Sequence, residues 1–242
     1  MNTSRQTLRA LALLALLGAG AVTSSLAQQT TIRLGLVTID PNSSAGDLVG
    51  PVAFPAPGGV PAGVSLSVKS KSTLLLTINR SLGSGFDAEL ALGVPPTHDV
   101  VAKLDLSNPL LATAAPLQGR VIAKVRQFAP TAFVNYSFGG DAAALRPFVG
   151  LGLNYTKFDR TESTADGNAL GGGATRISLT DSIGWAAHAG VNWQVDPQWS
   201  MSAGWSTADV KTTLTATTAG FARQTDIKFR PRVLSLGIGR TF

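Results

Sequence analysis

The last eleven residues read Arg232-Val-Leu-Ser-Leu-Gly-Ile-Gly-Arg-Thr-Phe242. Successive side chains of an extended strand point to opposite sides. Here Leu234, Leu236, Ile238, Arg240 and Phe242 share one face, while Val233, Ser235, Gly237, Gly239 and Thr241 share the other. Apart from Arg240, one side is apolar; the other is mostly small or polar. Such a length suits one tilted strand crossing a bilayer. A transmembrane β-barrel asks for segments of this kind, with oily side chains toward lipid and small or polar ones toward the lumen.

The pattern recurs upstream. Thr31 to Ile39 sets Ile32, Leu34 and Leu36 against Arg33, Gly35 and Val37. Ser70 to Asn79 exposes Leu74, Leu76 and Ile78, with Leu75 on the other face. Phe86 to Val94 alternates Phe86, Ala88, Leu90, Leu92 and Val94 with Asp87, Glu89, Ala91 and Gly93. Lys124 to Phe138 reads as one strand with Phe128, Val134, Tyr136 and Phe138 outward and Phe133 inward. Arg146 to Lys157 opposes Val149, Leu151, Leu153 and Tyr155 to Phe148, Gly150, Gly152, Asn154 and Thr156. Ser182 to Val195 has the clearest alternation, with Ile183, Trp185, Val191 and Trp193 on one side and Gly184, His188 and Gly190 on the other. A seventh strand starts at Trp199 and turns Met201, Ala203 and Trp205 outward.

With the closing segment this predicts an all-β chain: an eight-stranded antiparallel transmembrane β-barrel with short periplasmic turns and four longer extracellular loops. The short connections are RSLGSG, GGDAAAL and Asp196-Pro197-Gln198; the long ones are Asp40 to Gly63, Pro95 to Val121, Asp159 to Thr180 and Lys211 to Gln224. Barrels of the outer membrane alternate in this way. Closure matters because each unpaired edge group in hydrocarbon would cost several kcal/mol. A soluble β-sandwich also alternates but hides its apolar face. The aromatics separate the two: Phe128 and Trp185 are expected near the outer boundary, and Phe86, Tyr136, Phe138, Trp193 and Trp199 near the inner one, as two girdles.

Composition agrees. Residues 1–27 read as a cleaved signal peptide: Arg5 and Arg9 precede the apolar run Leu8 to Val22, and Ser25-Leu26-Ala27 offers small residues for the peptidase. Residues 28–242 are then a single barrel domain. Removing the two arginines takes the formal charge from +6 to +4, mild basicity that calls for no nucleic-acid partner. Beyond the leader no run of 18 apolar residues occurs, so no helix is expected to span. There is no cysteine, and two histidines without it give no metal-ligand spacing. No metal or cofactor is expected.

Several inward positions are candidates for function. Arg33, Asp87, Glu89 and Arg146 face inward near the periplasmic mouth, where buried charges must pair; they are expected to form an internal salt-bridge plug. Val37, Leu75, Phe133, Phe148, Asn154, His188 and Val233 are expected to line the lumen. An eight-stranded barrel is barely wider than its own side chains. The inward glycines therefore either make room for a solute or let the small barrel bend. Lys228, Arg230 and Arg232 recur at period two on the outward face above the outer boundary. They are expected to contact lipopolysaccharide phosphates, or to be an ordinary solvated run.

Four stretches together carry a family resemblance: Arg146 to Thr156 (RPFVGLGLNYT), Phe128 to Phe138 (FAPTAFVNYSF), Thr180 to Val195 (TDSIGWAAHAGVNWQV), and the strand from Trp199 running on to Asp209-Val210-Lys211-Thr212-Thr213. In this order the chain resembles the OmpW family of outer-membrane barrels. It departs from the family pattern at Pro96, at Arg232 after Pro231, and at Arg240, where the family usually has Tyr. The resemblance implies an outer-membrane barrel of a Gram-negative bacterium that binds or passes small hydrophobic molecules through an apolar lumen. Its partners would be outer-membrane lipids, lipopolysaccharide, a small hydrophobic ligand, and the barrel assembly machinery through the strand ending in Phe242. If the charged plug blocks the periplasmic end, solute would leave sideways into the membrane. Two alternatives remain: a structural or surface-interaction barrel with a filled lumen, and a lipid A-modifying enzyme using His98 and Asp99 at the extracellular rim. Neighbouring residues on a strand point oppositely, which argues against that pair, so no catalytic residue is assigned. GNALGGGA, Gly167 to Ala174, reads as a flexible loop.

Overall fold

The computed structural model describes residues 29–45, 47–49, 51–52, 58–59, 63–140 and 143–242. The expected leader and parts of the first long loop and of the GGDAAAL connection lie outside the described residues.

The membrane-spanning strands are β1 (Thr30–Asp40), β2 (Lys71–Gly83), β3 (Phe86–Gly93), β4 (Thr131–Ser137), β5 (Leu145–Ser163), β6 (Ser182–Gln194), β7 (Trp199–Ala208) and β8 (Arg232–Thr241). Each pairs antiparallel with its neighbours in sequence, and β1 pairs β8, so the eight strands close into a barrel. At the seam, Phe242 N–H donates to the Thr30 carbonyl at 2.9 Å, and Thr31 and Thr241 share a hydroxyl bond at 2.8 Å.

The three short connections lie at one end. Ser84 and Gly85 both have positive φ, 53° and 82°, the conformation that matches the twist of paired strands. Asp196 Oδ1 accepts from the N–H groups of Gln198 and Trp199, each at 2.8 Å, and fixes the β6–β7 turn.

The outward face is oily from strand to strand. Trp185 is 73% exposed, Leu151 70% and Leu236 67%, values that only a lipid-facing wall makes sense of. The aromatic belt is fuller at the periplasmic end, with Trp185 and Tyr155 at the other. Phe86, Tyr136, Phe138, Trp193, Trp199 and Phe242 ring the periplasmic end, with Phe86–Tyr136 and Tyr136–Phe138 centroids 5.0 Å apart. Arg240 lies over Trp199 at 5.8 Å and over Phe242 at 5.2 Å, so a cation stacks within this belt. At the outer boundary Trp185 stands without Phe128, which is half-buried in a different strand.

That is the first correction. The expected strand Lys124 to Phe138 is broken: Val121–Phe128 belongs to an extracellular sheet, and β4 begins after Ala129-Pro130. Proline has no N–H to give the ladder. The second correction concerns the long loops, which are largely strands. One sheet holds Val64–Val68, Thr97–Leu104, Val121–Phe128 and the upper half of β5. The other holds Ser43–Ala45, Phe221–Phe229, Val210–Thr218 and Thr175–Leu179. Leu66, Val68, Phe158, Ile177 and Leu179 pack against buried residues of both sheets, making a dry layer above the barrel. Val210–Thr218 is half threonine but still alternates, with Val210, Thr212, Leu214, Ala216 and Thr218 buried. β-branched threonine suits such a surface. GNALGGGA is likewise no loop throughout. Ala165–Gly171 is a short helix capped by Thr164, whose hydroxyl accepts from Gly167 N–H, and it ends on Gly172 at φ 76°.

Candidate functional site: a floored lumen beneath an interrupted wall

At the periplasmic end of the lumen, two asparagines hold two carboxylates. The Asn79 amide donates to Asp87 Oδ1 at 3.0 Å and to Glu89 Oε2 at 2.9 Å. The Asn135 amide donates to the same two atoms at 3.1 and 2.9 Å. Arg33 Nη1 donates to Asn79 Oδ1 at 2.6 Å. Arg146 stands near enough to repel the Arg33 charge. Glu89 is only 7% exposed. Asn79 and Asn135 thus gather Arg33, Asp87 and Glu89 into one cluster, with Arg146 beside it, and amides knit it. Sequence reasoning missed Asn79 and Asn135. Their inward parity, two residues from Thr77 and from Phe133, was the available signal.

His188 lies on top of this floor. Its Nδ1 is 3.8 Å from Glu89 Oε2, and its ring is 4.8 Å from Phe133 and 4.7 Å from Phe148. Glycines receive these side chains. A Cβ at Gly150 would strike the Asn135 amide, at Gly152 the Phe133 ring (2.7 Å), at Gly190 the Phe148 ring (2.8 Å), and at Gly239 the Arg33 stem (2.3 Å). Each glycine is the cross-strand partner of the residue it admits. Gly150, Gly152, Gly190 and Gly239 thus serve as seats for the plug, a close-approach role that glycine alone fills.

Above the floor is a cavity of about 150 Å³. Val37, Leu75, Phe133, Phe148, Asn154, His188 and Val233 all line it, as do Gly35, Gly93, Gly204 and Gly237. Asn154 spends its polar groups internally, donating to Thr131 Oγ1 at 2.8 Å and accepting from Thr156 at 2.6 Å. Most of the remaining wall is small or apolar. The cavity extends up to Pro96, Gln127, Ala129, Val210 and Pro231 at the foot of the extracellular sheets. Gln127 is shared with a second, smaller cavity of about 30 Å³ between those sheets, lined by Leu66, Val68, Val100, Phe158, Leu214 and Phe229 among others.

The wall beside the upper lumen is interrupted. The β3–β4 ladder runs from Tyr136–Phe86 up to Thr131–Ala91 and resumes only where Gln127 N–H donates to the Pro96 carbonyl. Between them lie Gly93-Val94-Pro95 and Phe128-Ala129-Pro130. On its other flank, Val94 N–H still reaches the Leu74 carbonyl, and the next bond is Lys69 N–H to Asp99. Pro95, Pro96 and Pro130 bring no donors to this region. Leu153 pairs with both Ala132 and Trp185, so on β4 the gap begins beyond the register row that contains Trp185.

At the rim, His98 and Asp99 diverge as strand geometry demands. Asp99 pairs with Lys71 at 3.6 Å. His98 is 2% exposed and its Nδ1 is 3.0 Å from the Lys69 carbonyl. Burial, with Lys71 nearby, holds its pKa below the usual histidine range despite the Lys69 carbonyl and Asp99. The structure thus seats His98 inside the cap, with its ring turned away from solvent. Lys228, Arg230 and Arg232 are all exposed, and Lys211, in register with Lys228, joins them. Asp209 sits among these cations, 2.9 Å from Lys211 Nζ and 3.9 Å from Arg230 Nε. The Lys211 hydrogen bond and the surrounding positive charge keep its carboxyl below the ordinary range. Among the described residues no group of three or more His, Asp or Glu is placed to hold a metal ion.

Comparisons with known proteins agree with this architecture. The OmpW family model matches residues 28–242. Outer membrane protein W of Vibrio cholerae is 27% identical over 238 residues, covering 98% of this chain and all of the relative. The crystal structure of OprG from Pseudomonas aeruginosa superposes with a TM-score of 0.74 at 24% identity, over 89% of this chain and 96% of that one. The solution structure of Outer Membrane Protein W from E. coli gives 0.54 at 24% identity, over 90% and 100%. The structural likenesses speak for the fold, and the family match covers the whole barrel. This chain is an outer-membrane β-barrel of a Gram-negative bacterium and belongs to the OmpW family.

Proposed function

We propose that this protein binds small hydrophobic molecules in its lumen and passes them from outside into the lipid, through the interrupted wall between β3 and β4. One observation carries the reading: an apolar cavity is floored by a polar plug and bordered by the gap at Gly93–Pro95 and Phe128–Pro130. A solute resting on Arg33, Asn79, Asp87, Glu89 and Asn135 meets a network whose disruption costs several kcal/mol. Sideways, it meets a region short of backbone hydrogen bonds, at the level of the outer leaflet. For an apolar molecule the second route is downhill.

The test is uptake of a radiolabelled aromatic hydrocarbon by cells expressing the protein. The chain has no cysteine of its own, so Val94→Cys with Phe128→Cys can be bridged by a bifunctional thiol reagent across the gap. Uptake should exceed that of cells lacking the protein and fall when the bridge is formed. Equal uptake with and without the protein defeats the proposal; uptake that survives the bridge defeats the lateral route.

Two surface contacts belong to the same picture. Lys211, Lys228, Arg230 and Arg232 form an exposed basic strip, which is proposed to take up lipopolysaccharide phosphates, since guanidinium groups bind phosphate in bidentate geometry. Charge reversal of Lys228, Arg230 and Arg232 should lower lipopolysaccharide retention during purification; unchanged retention removes the contact. The β8 strand ending in Phe242, with Arg240 stacked beside it, is proposed as the segment read by the assembly machinery. Phe242→Ala should slow membrane insertion, measured as accumulation of unassembled chain.

A further inference from the structure

We propose that solute enters the cap sideways, through a seam between the edge strands Ser43–Ala45 and Val64–Val68, and crosses into the barrel at Gln127. The inference rests on the lumen being a passage for hydrophobic molecules, and gives that passage its outer opening and its threshold residue.

Each cap sheet ends on one of these strands. Among the described residues Ser43–Ala45 pairs only with Phe221–Phe229, and Val64–Val68 only with Thr97–Leu104. The chain rises from β1 through the first and returns to β2 through the second, so the two edges pack side by side. Their upper end is pinned: Leu48 N–H donates to the Val64 carbonyl at 3.2 Å, and Gly63 N–H to Asp47 Oδ2 at 3.1 Å. Below that, among the described residues, no backbone bond joins Ser43–Ala45 to Leu66–Val68. The opposite seam is tied. There Thr161 donates its hydroxyl to the Ile177 carbonyl at 2.5 Å, and the capped helix Ala165–Gly171 links the two strands.

Behind the first seam lies the smaller cavity. Ser43 and Ala45 line it from one edge, Leu66 and Val68 from the other. Its volume of about 30 Å³ is one water's share of the liquid, too little for an aromatic ring. A ring enters only as the sheets part, and they part where side-chain packing rather than a backbone ladder holds them. Phe158, Leu214, Ile227 and Phe229 then offer it an apolar wall.

Gln127 stands where this cavity meets the lumen. Among the described residues it alone borders both. Alternation sets it on the face of buried Ala123 and Val125, and it pairs with Phe158. Its backbone N–H is held by the Pro96 carbonyl at 3.1 Å, whereas its amide group bonds to no described residue. The backbone is thus fixed, while the untied side chain changes rotamer at no cost in hydrogen bonds. A side chain so placed opens or shuts the junction without disturbing the sheet.

The test is uptake of radiolabelled toluene by cells expressing the full chain. Ser43→Cys with Val68→Cys places one thiol on each edge of the seam, in a protein without cysteine of its own. Bridging them with a bifunctional thiol reagent on intact cells acts on a barrel already folded, so a change is not a folding defect. Uptake should match the parent before bridging and fall to the level of cells lacking the protein after it. Gln127→Trp should lower uptake in the same way, and Gln127→Leu, of similar size without the amide, should keep it. Uptake that survives both the bridge and Gln127→Trp puts the entrance elsewhere and leaves the lateral exit standing. Loss in Gln127→Leu equal to that in Gln127→Trp overturns the threshold. If the parent takes up no more toluene than cells lacking it, entrance and passage fall together.

Discussion

Replacing Gly93 by leucine should close the lumen without harming the barrel. Gly93 ends β3, borders the cavity and pairs with Leu75. A Cβ there meets nothing nearer than the Leu74 carbonyl at 3.8 Å, an ordinary contact. Beyond it the side chain enters the cavity of about 150 Å³. Such a volume holds about six carbons as benzene, and leucine fills it with four. At ~0.8 kcal/mol per buried carbon, a ring-sized ligand loses ~3 kcal/mol, or roughly two hundredfold in affinity. The new side chain itself gains ~1.5–3 kcal/mol by burial, so the variant should unfold no earlier than the parent. Hydrocarbon uptake by expressing cells and the urea midpoint of the purified barrel are the two readings. Uptake should drop to the level of cells without the protein while the midpoint holds or rises. A folded Gly93→Leu barrel with undiminished uptake would show that solute does not travel through this cavity, and the proposed passage would be abandoned.

Gly190→Ala should behave oppositely, because its Cβ would lie 2.4 Å from the Ala203 carbonyl and 2.8 Å from the Phe148 ring; a loss of ~1–3 kcal/mol is expected in urea unfolding, and full stability would contradict the seat assigned to Gly190. Glu89→Ala strips a shared acceptor from Asn79 and Asn135 and leaves Arg33 undercompensated, at an expected ~3–5 kcal/mol for a broken buried charge cluster; an unchanged urea midpoint would mean the floor is not cohesive. His98 titrates below the usual histidine range in the folded cap, so the unfolded state takes up its proton first, from pH ~6.5 downward. Its contribution is thus complete above that pH and is lost as pH falls toward the folded-state pKa; amide protection factors of Thr97–Leu104, taken against the intrinsic exchange rate at each pH, should fall on acidification, and less so in His98→Phe. The doubly bonded Arg126–Asp159 pair in the cap is solvent-exposed at both partners, so Asp159→Ala should leave the protection of the cap nearly unchanged; a marked loss of protection in the same exchange experiment would contradict this.

By itself the sequence determined the barrel. Period-two alternation from Thr31 to Phe242, the long–short rhythm of connections and the aromatics at strand ends depend on local geometry and on which side of each strand meets lipid. Both can be read from spacing. Inward parity also placed Arg33, Asp87, Glu89, Phe133, Phe148 and His188 toward one interior. Tertiary structure decided what these residues do there. Asn79 and Asn135 become the joints of the plug only because β2 and β4 flank β3 in register. Gly150, Gly152, Gly190 and Gly239, which looked like empty space or bend points, are occupied by the side chains of their cross-strand partners. Pro130 ends a strand that alternation alone carries through, and the lost donors appear as a gap only once β3 is seen ending opposite it. The threonine-rich stretch from Val210 to Thr218 acquires a buried face because a second sheet lies over it. Alternation is a property of one strand, whereas ladders, seats and gaps are properties of pairs, and pairing is fixed when the barrel closes.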